Sequence, residues 1–157
     1  MGRGERGFTL IELAVVLIVV AIIGAISITG YFSIMRSTHA MQAVGDLYAI
    51  RAAAYMNYGD TSQWPEDLSP GIPPTSLVSR LPAGFEFVRR DYRLDWDNWI
   101  GQPHAPGDPR STILVGVSVV SNDPKLLDTI QSLMSRTYIV RTGPNKATLR
   151  IIGPGGL

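Results

Sequence analysis

A chain of 157 residues, 45% hydrophobic and 17% charged, has room for one core and an extra element but not for two full domains. Its formal charge of +1 gives no global attraction to nucleic acid or acidic lipid, so either kind of binding needs a local patch. Cysteine is absent, which excludes a disulfide framework, a thiolate metal site and a cysteine nucleophile.

Residues 1–7, MGRGERG, set Arg3 and Arg6 against Glu5 and read as a short basic leader. From Leu13 to Met35 no residue is charged, and with Phe8–Ile11 ahead of it the run is long enough to cross a hydrocarbon core as a helix. Arg and Lys stay on the cytoplasmic side, so the leader remains inside and the rest of the chain is exported. The helical pattern continues past the apolar run. No proline occurs between Phe8 and Gln63, while Met41, Val44, Leu47, Tyr48, Ala54, Tyr55 and Tyr58 recur at spacings of three and four. One helix is expected from Phe8 to about Tyr58. At the rise of an α-helix it would be roughly 75 Å long, more than twice the thickness of a bilayer core. The stripe on its second half, tyrosines included, reads as a core face. Gly59-Asp60 and then Trp64-Pro65 make the stop.

Residues 69–84, SPGIPPTSLVSRLPAG, are too dense in Pro and Gly to suggest regular structure. Phe85 and Phe87, and after a break Tyr92, Leu94 and Trp96, alternate with polar residues as in a strand with one solvated face. A second loop, DNWIGQPHAPGDPR, leads to STILVGVSVV at 111–120, which reads as a buried strand. In DPKLLDTIQSLMSR, Leu126, Leu127, Ile130, Leu133 and Met134 share a helical face behind Asp123 and Pro124, a cap and first-turn pair. Strands around Tyr138–Arg141 and Ala147–Ile152 flank the turn TGPNK as a hairpin, and GPGGL at 153–157 reads as a frayed tail. The expected fold is α+β, a long amino-terminal helix against a small antiparallel sheet, with Trp64, Trp96 and Trp99 as anchors. The expected divisions are a leader (1–7), a membrane and assembly helix (8–30), its amphipathic continuation (31–58) and a globular head (59–157).

Glu12 is the anomaly in the apolar run. A carboxylate near the centre of a membrane helix costs roughly 2.5–3.5 kcal/mol on insertion scales, so it needs a partner. No Lys or Arg follows it at helical spacing. Cleavage between Gly7 and Phe8 would create a positively charged amine at the depth of Glu12. Between parallel copies shifted along their axes, one molecule's amine could meet the next one's Glu12 and so select the stagger of a helical bundle.

The run G-FTLIEL at Gly7–Leu13, behind a short basic leader and ahead of a long apolar helix, resembles the processing and assembly signature of type IV pilins and pseudopilins. The resemblance implies cleavage after Gly7 by the prepilin peptidase, N-methylation of Phe8, and an assembly role for Glu12 with the Phe8 amine. It implies a homo-oligomeric helical filament, built through an inner-membrane assembly platform from a single-pass precursor held in lipid with its head outside the cytoplasm. The finished filament would be extracellular or periplasmic. Many pilins carry a proline in mid-helix. Here Gly24 and Gly30 occupy that region and are the candidate points of helix loosening. A family disulfide near the carboxy terminus is impossible in this chain.

Two simpler readings of the apolar run are an ordinary signal peptide cut near Ala25-Ile26-Ser27 and a plain signal anchor in which Glu12 favours the helix dipole. His39 and His104 have no metal-ligand spacing and nothing resembles a nucleophile elbow, so no enzyme, no catalytic residue and no cofactor is expected. Asp95, Asp97, Asn98 and Asp108 could gather round Ca²⁺, but the spacing lacks the rest of an EF-hand and reads as a solvated acidic loop. Arg141, Lys146 and Arg150 on the hairpin form a candidate basic patch for DNA, with Arg89, Arg90 and Arg93 on another strand. The functional expectation is a type IV pilus-like filament subunit. The alternatives are a pseudopilin of a type II secretion system and a minor pilin that binds DNA or a surface.

Overall fold

The computed structural model describes residues 9–101, 113–134 and 138–152. Gly7, Phe8, His104, Asp108 and the tail 153–157 lie outside the described residues. The chain divides into two compact units, Met1–Arg36 and Ser37–Leu157.

A single helix, α1 (Leu10–Thr61), supplies all of the described first unit beyond Thr9 and the opening element of the second. Within the first unit it is apolar all round, and large side chains from Leu10 to Ile34 are exposed. A helix of this kind satisfies its backbone internally and needs an apolar surrounding rather than one buried face. The Ser27 hydroxyl is satisfied from within, as its Oγ donates to the Ile23 carbonyl at 2.8 Å. The helix continues without a break through Gly24 and Gly30.

In the second unit α1 is one-sided. Ala40, Ala43, Leu47, Ile50, Ala53 and Ala54 are buried in the core, whereas Met41, Tyr48 and Tyr58 are exposed. The stripe expected to face the core is thus corrected. Alanines take most of the buried apolar positions, and of the stripe only Leu47 and Ala54 are fully buried, with Val44 and Tyr55 packed at the edge. The helix ends three residues beyond the expected stop. Gly59 stays helical, and the turn comes at Ser62, whose φ of +56° and N–H donation to the Tyr58 carbonyl at 2.7 Å form a left-handed terminus.

Four strands, β1 (Arg93–Asn98), β2 (Val115–Val120), β3 (Ile139–Gly143) and β4 (Lys146–Ile152), make one antiparallel sheet in the order β1-β2-β4-β3. A single turn, α2 (Thr75–Val78), interrupts the Pro-rich stretch expected to lack regular structure and buries Leu77. Phe85 and Phe87 lie outside the sheet, apart from an isolated bridge between Val88 and Arg93. Helix α3 (Pro124–Met134) joins β2 to β3 and buries Leu126, Leu127, Ile130 and Met134. Leu133 is 47% exposed, because the arc on which it was grouped is wider than the contact surface. One core gathers the alanine face of α1, Leu94 and Trp96 of β1, Val117 and Val119 of β2, Leu149 of β4 and the buried face of α3. The layout is α+β, as the sequence indicates.

Trp64 lies between Tyr58 (centroids 4.5 Å, planes 16° apart) and Trp96 (6.2 Å, 25°). The Pro65 carbonyl accepts from Trp96 Nε1 at 3.0 Å and from Asn98 Nδ2 at 2.9 Å, which ties the chain leaving α1 to β1. The buried Asp46 does the same for the next segment. Its carboxylate accepts from Tyr92 Oη at 2.8 Å and Arg89 Nε at 3.2 Å. Burial, and then the bond to Asp46, hold the Tyr92 hydroxyl well above the usual range for a phenol.

Candidate functional site

Among the described residues, two constellations combine chemistry with a defined geometry, one in each unit. The first is at the start of α1. Thr9 Oγ1 accepts from the Glu12 N–H at 3.3 Å and donates to Glu12 Oε2 at 2.7 Å, while the Thr9 N–H donates to the same Oε2 at 2.8 Å. This is a capping box, in which a hydroxyl and a carboxylate three residues apart each satisfy the other's backbone donor. It is legible in the sequence as T-L-I-E ahead of an apolar run. The Glu12 carboxylate therefore has hydrogen-bond donors within its own chain, and its acidic charge sits at the positive end of the helix. It remains exposed, so an oxygen lone pair is open to a donor from another molecule.

The second lies on the sheet face turned away from α1. Side chains alternate along strands, so the residues between the core-facing Leu94, Val117, Val119, Ala147 and Leu149 point the other way. Asp95 of β1 stands opposite Ser118 of β2, and Ser118 opposite Thr148 of β4. Asp95, Asp97, Ser118, Thr142 and Thr148 are all buried. Ser118 Oγ donates to Asp97 Oδ2 and accepts from Thr148 Oγ1 at 2.7 Å, which in turn accepts from Thr142 Oγ1 at 2.7 Å. Lys146, at the start of β4, reaches across β2 to place Nζ 2.7 Å from Asp95 Oδ2 and 2.5 Å from Asp97 Oδ1. It also stands 5.8 Å from the centroid of the Trp99 ring. Asp95 Oδ1 is buried with no hydrogen-bond partner.

The charge balance follows from this geometry. Burial, then the neighbouring Asp97 carboxylate, push the Asp95 carboxyl up to about 6, with Lys146 opposing them. For Lys146, burial pulls the ammonium down, but Asp97 and Asp95 outweigh it and the net direction is upward. The expectation of a solvated acidic loop at 95–98 is corrected, because Asp95 and Asp97 are strand residues on a buried face. The alternation D-W-D carried that signal, yet carboxylates ordinarily mark the wet side of a sheet.

For a cation, Asp67, Asp95 and Asp97 each offer one carboxylate oxygen, all within 4.8 Å of one another, a spread that calcium–oxygen distances accommodate. Of the other expected ligands, the side-chain oxygen of Asn98 accepts from the Ile100 N–H, and Asp108 lies outside the described residues. The ammonium of Lys146 already supplies a positive charge to Asp95 and Asp97.

The basic residues of the hairpin do not form one patch. Arg141 is opposite Ala147, on the face that also carries Leu149, and pairs with Asp128 of α3 at 3.0 Å. Lys146 is committed to Asp95 and Asp97 on the other face, and Arg150 lies opposite Gly116 there. In the other group Arg89 is held by Asp46 and Glu86, which leaves Arg90 and Arg93 exposed at the edge of the sheet.

An apolar helix opening on a leader-and-carboxylate signature defines the amino-terminal site as an export and processing signal rather than a catalytic one. The model of the prokaryotic N-terminal methylation motif matches residues 2–28. This is the class III signal of type IV pilins and pseudopilins, it supports a pilin-like or pseudopilin precursor, and the helix it opens is long and apolar enough to cross a membrane. No curated protein and no solved structure matches the chain.

Proposed function

We propose that the protein is the structural subunit of a type IV pilus-like filament. The prepilin peptidase cuts after Gly7 and methylates the amine of Phe8. The apolar half of α1 stores the subunit in the inner membrane until an assembly platform moves it into a helical bundle. Within that bundle the Phe8 amine of one copy meets Glu12 of the next. The supporting observation is the methylation motif over residues 2–28, with Glu12 placed by Thr9 at the opening of a helix that is apolar all round. Hydrocarbon or a bundle of like helices gives such a surface an equivalent surrounding, so moving from one to the other has a small net cost. Gly24 and Gly30 are the places where the helix would yield during that transfer.

Sheared surface fibres should contain a mature chain beginning at methylated Phe8. Glu12→Ala should still be cut but should lose most of its fibre yield when no wild-type subunit is present. Mature protein starting at Ile28 or retaining Met1 removes the processing role, and full fibre yield from Glu12→Ala removes the register role.

A further inference from the structure

The Lys146–Asp95–Asp97 constellation, with both carboxylates buried and the lysine side chain 25% exposed, has the parts of an amide-forming site. An amine needs a carbonyl carbon within reach, a neutral carboxyl to attack, a second carboxylate to take up its proton, and the exclusion of water. Lys146 Nζ is hydrogen-bonded at 2.7 Å to an oxygen of Asp95, so the Asp95 Cγ is the adjacent electrophile. The side chains of Asp95 and Asp97 are only 4% and 5% exposed. Their environments differ in the way two roles require. Both oxygens of Asp97 are hydrogen-bonded, Oδ2 to Ser118 and Oδ1 to Lys146. Asp95 keeps one oxygen buried and without any partner, a position that disfavours its charge.

We propose that Lys146 and Asp95 join in an intramolecular amide, with Asp97 as the proton acceptor. The starting state is an Asp95 carboxylic acid, a Lys146 ammonium and an Asp97 carboxylate. Asp97 Oδ1 takes one ammonium proton, and the freed nitrogen lone pair forms the N–C bond to Asp95 Cγ. The resulting tetrahedral centre collapses by breaking the bond to the former acid hydroxyl, which leaves as water with a second proton from the nitrogen. The third proton stays on the amide, and Asp97 then gives up its proton to solvent. No oxidant, metal or further reactant enters. Held in contact, the two groups react at an effective concentration that intramolecular systems raise to about 10⁵–10⁸ M, well above the water that opposes condensation. The aromatic ring of Trp99 and the row of Ser118, Thr148 and Thr142 keep the lysine stem and Asp97 in place.

The consequence for the fold is a covalent tie across the sheet. It joins β1 to β4 over the intervening β2, in a chain with no cysteine to make one. Gly116 is fixed as glycine because a Cβ there would come within 2.5 Å of Thr148 Cγ2.

The test is peptide mass spectrometry on the full-length protein purified from membranes in detergent. A cross-link lowers the mass by one water, about 18 Da, relative to the linear sequence. It also blocks trypsin after Lys146, so the expected product is a branched species joining peptide 94–110 to peptide 142–150, with the junction at Asp95. Recovery of linear 94–110 and 142–146 in full yield overturns the proposal, as does a junction at Asp97. Lys146→Arg keeps the positive charge but should restore the linear mass. Asp97→Asn should leave the bond unformed, and closure in that variant overturns the role given to Asp97. Asp95→Asn should still close, now losing ammonia, about 17 Da, in place of water. The wild-type measurement alone decides the central claim, whether or not any variant folds.

Discussion

The two parts of α1 share a helix, a lack of proline and a high apolar content, yet they solve the problem of burial differently. From Leu10 to Ile34 the large side chains are exposed in every direction, whereas from Ala40 to Ala54 the buried positions are mostly alanine. An apolar side chain marks a core position only where the chain supplies something to cover it. The first part carries residues suited to a solvent of lipid or like helices, and the second carries residues small enough to meet a sheet built from the same chain.

The comparison breaks most completely at the leader. If the first part of α1 is a processed and assembled element, Gly7→Val should leave uncut precursor in the membrane, because the protease subsite beside the cut would have no room for a side chain. The amino-terminal mass of the membrane fraction checks this, and normal processing would mean that the apolar run is only an anchor. The head should fold equally well in both cases. Trp96→Ala is the converse experiment. Trp96 is buried in the core, faces Trp64 and donates to the Pro65 carbonyl. Its removal should cost about 3–5 kcal/mol of head stability, seen as a shift in the urea midpoint of the detergent-solubilised chain. Processing after Gly7 should be retained in any fraction that escapes degradation.

Asp46→Ala has a smaller expected effect on the same side of the comparison. It leaves the buried Tyr92 hydroxyl without its acceptor and the Arg89 guanidinium with Glu86 in place of the pair it now holds. The loss should be about 1–3 kcal/mol, again read from the urea midpoint, with Tyr92→Phe in the same background recovering part of it. A loss below the scatter of the measurement would mean that the segment carrying Arg89 and Tyr92 is not fastened through α1.

What could be read from the sequence depended on whether the signal was local. The apolar run, the helix after Asp123-Pro124 and the hairpin around Pro144-Asn145 are all encoded within a few neighbouring residues, and the structure contains each of them. Glu12 stands out for the same reason, as a lone carboxylate in that run, whereas its Thr9 cap, equally local, was not among the expectations. The buried face of the second part of α1 was not, because alanine carries little periodic signal beside Tyr and Met, and the sheet that covers it is assembled from residues 93–152. The Asp95–Lys146 cluster was legible least of all. Its members are 51 positions apart, and a charged pair reads as surface until the strand order brings both onto one buried face.

The smallest expected effect sharpens the comparison furthest. Met41 and Tyr48 fit the helical spacing on which the core face was first drawn, but they are 59% and 48% exposed. Met41→Ser and Tyr48→Ser should therefore each change the stability of the detergent-solubilised subunit by no more than about 0.5 kcal/mol. A cost above 1 kcal/mol for either would show that the side chain is covered within its own chain. The same variants can be scored for fibre yield at unchanged subunit stability. A fall in yield would mean that this face of α1 is covered by other copies, as the apolar surface of its first part is in the proposed bundle. An unchanged yield would confine helix-to-helix assembly to the first part of α1.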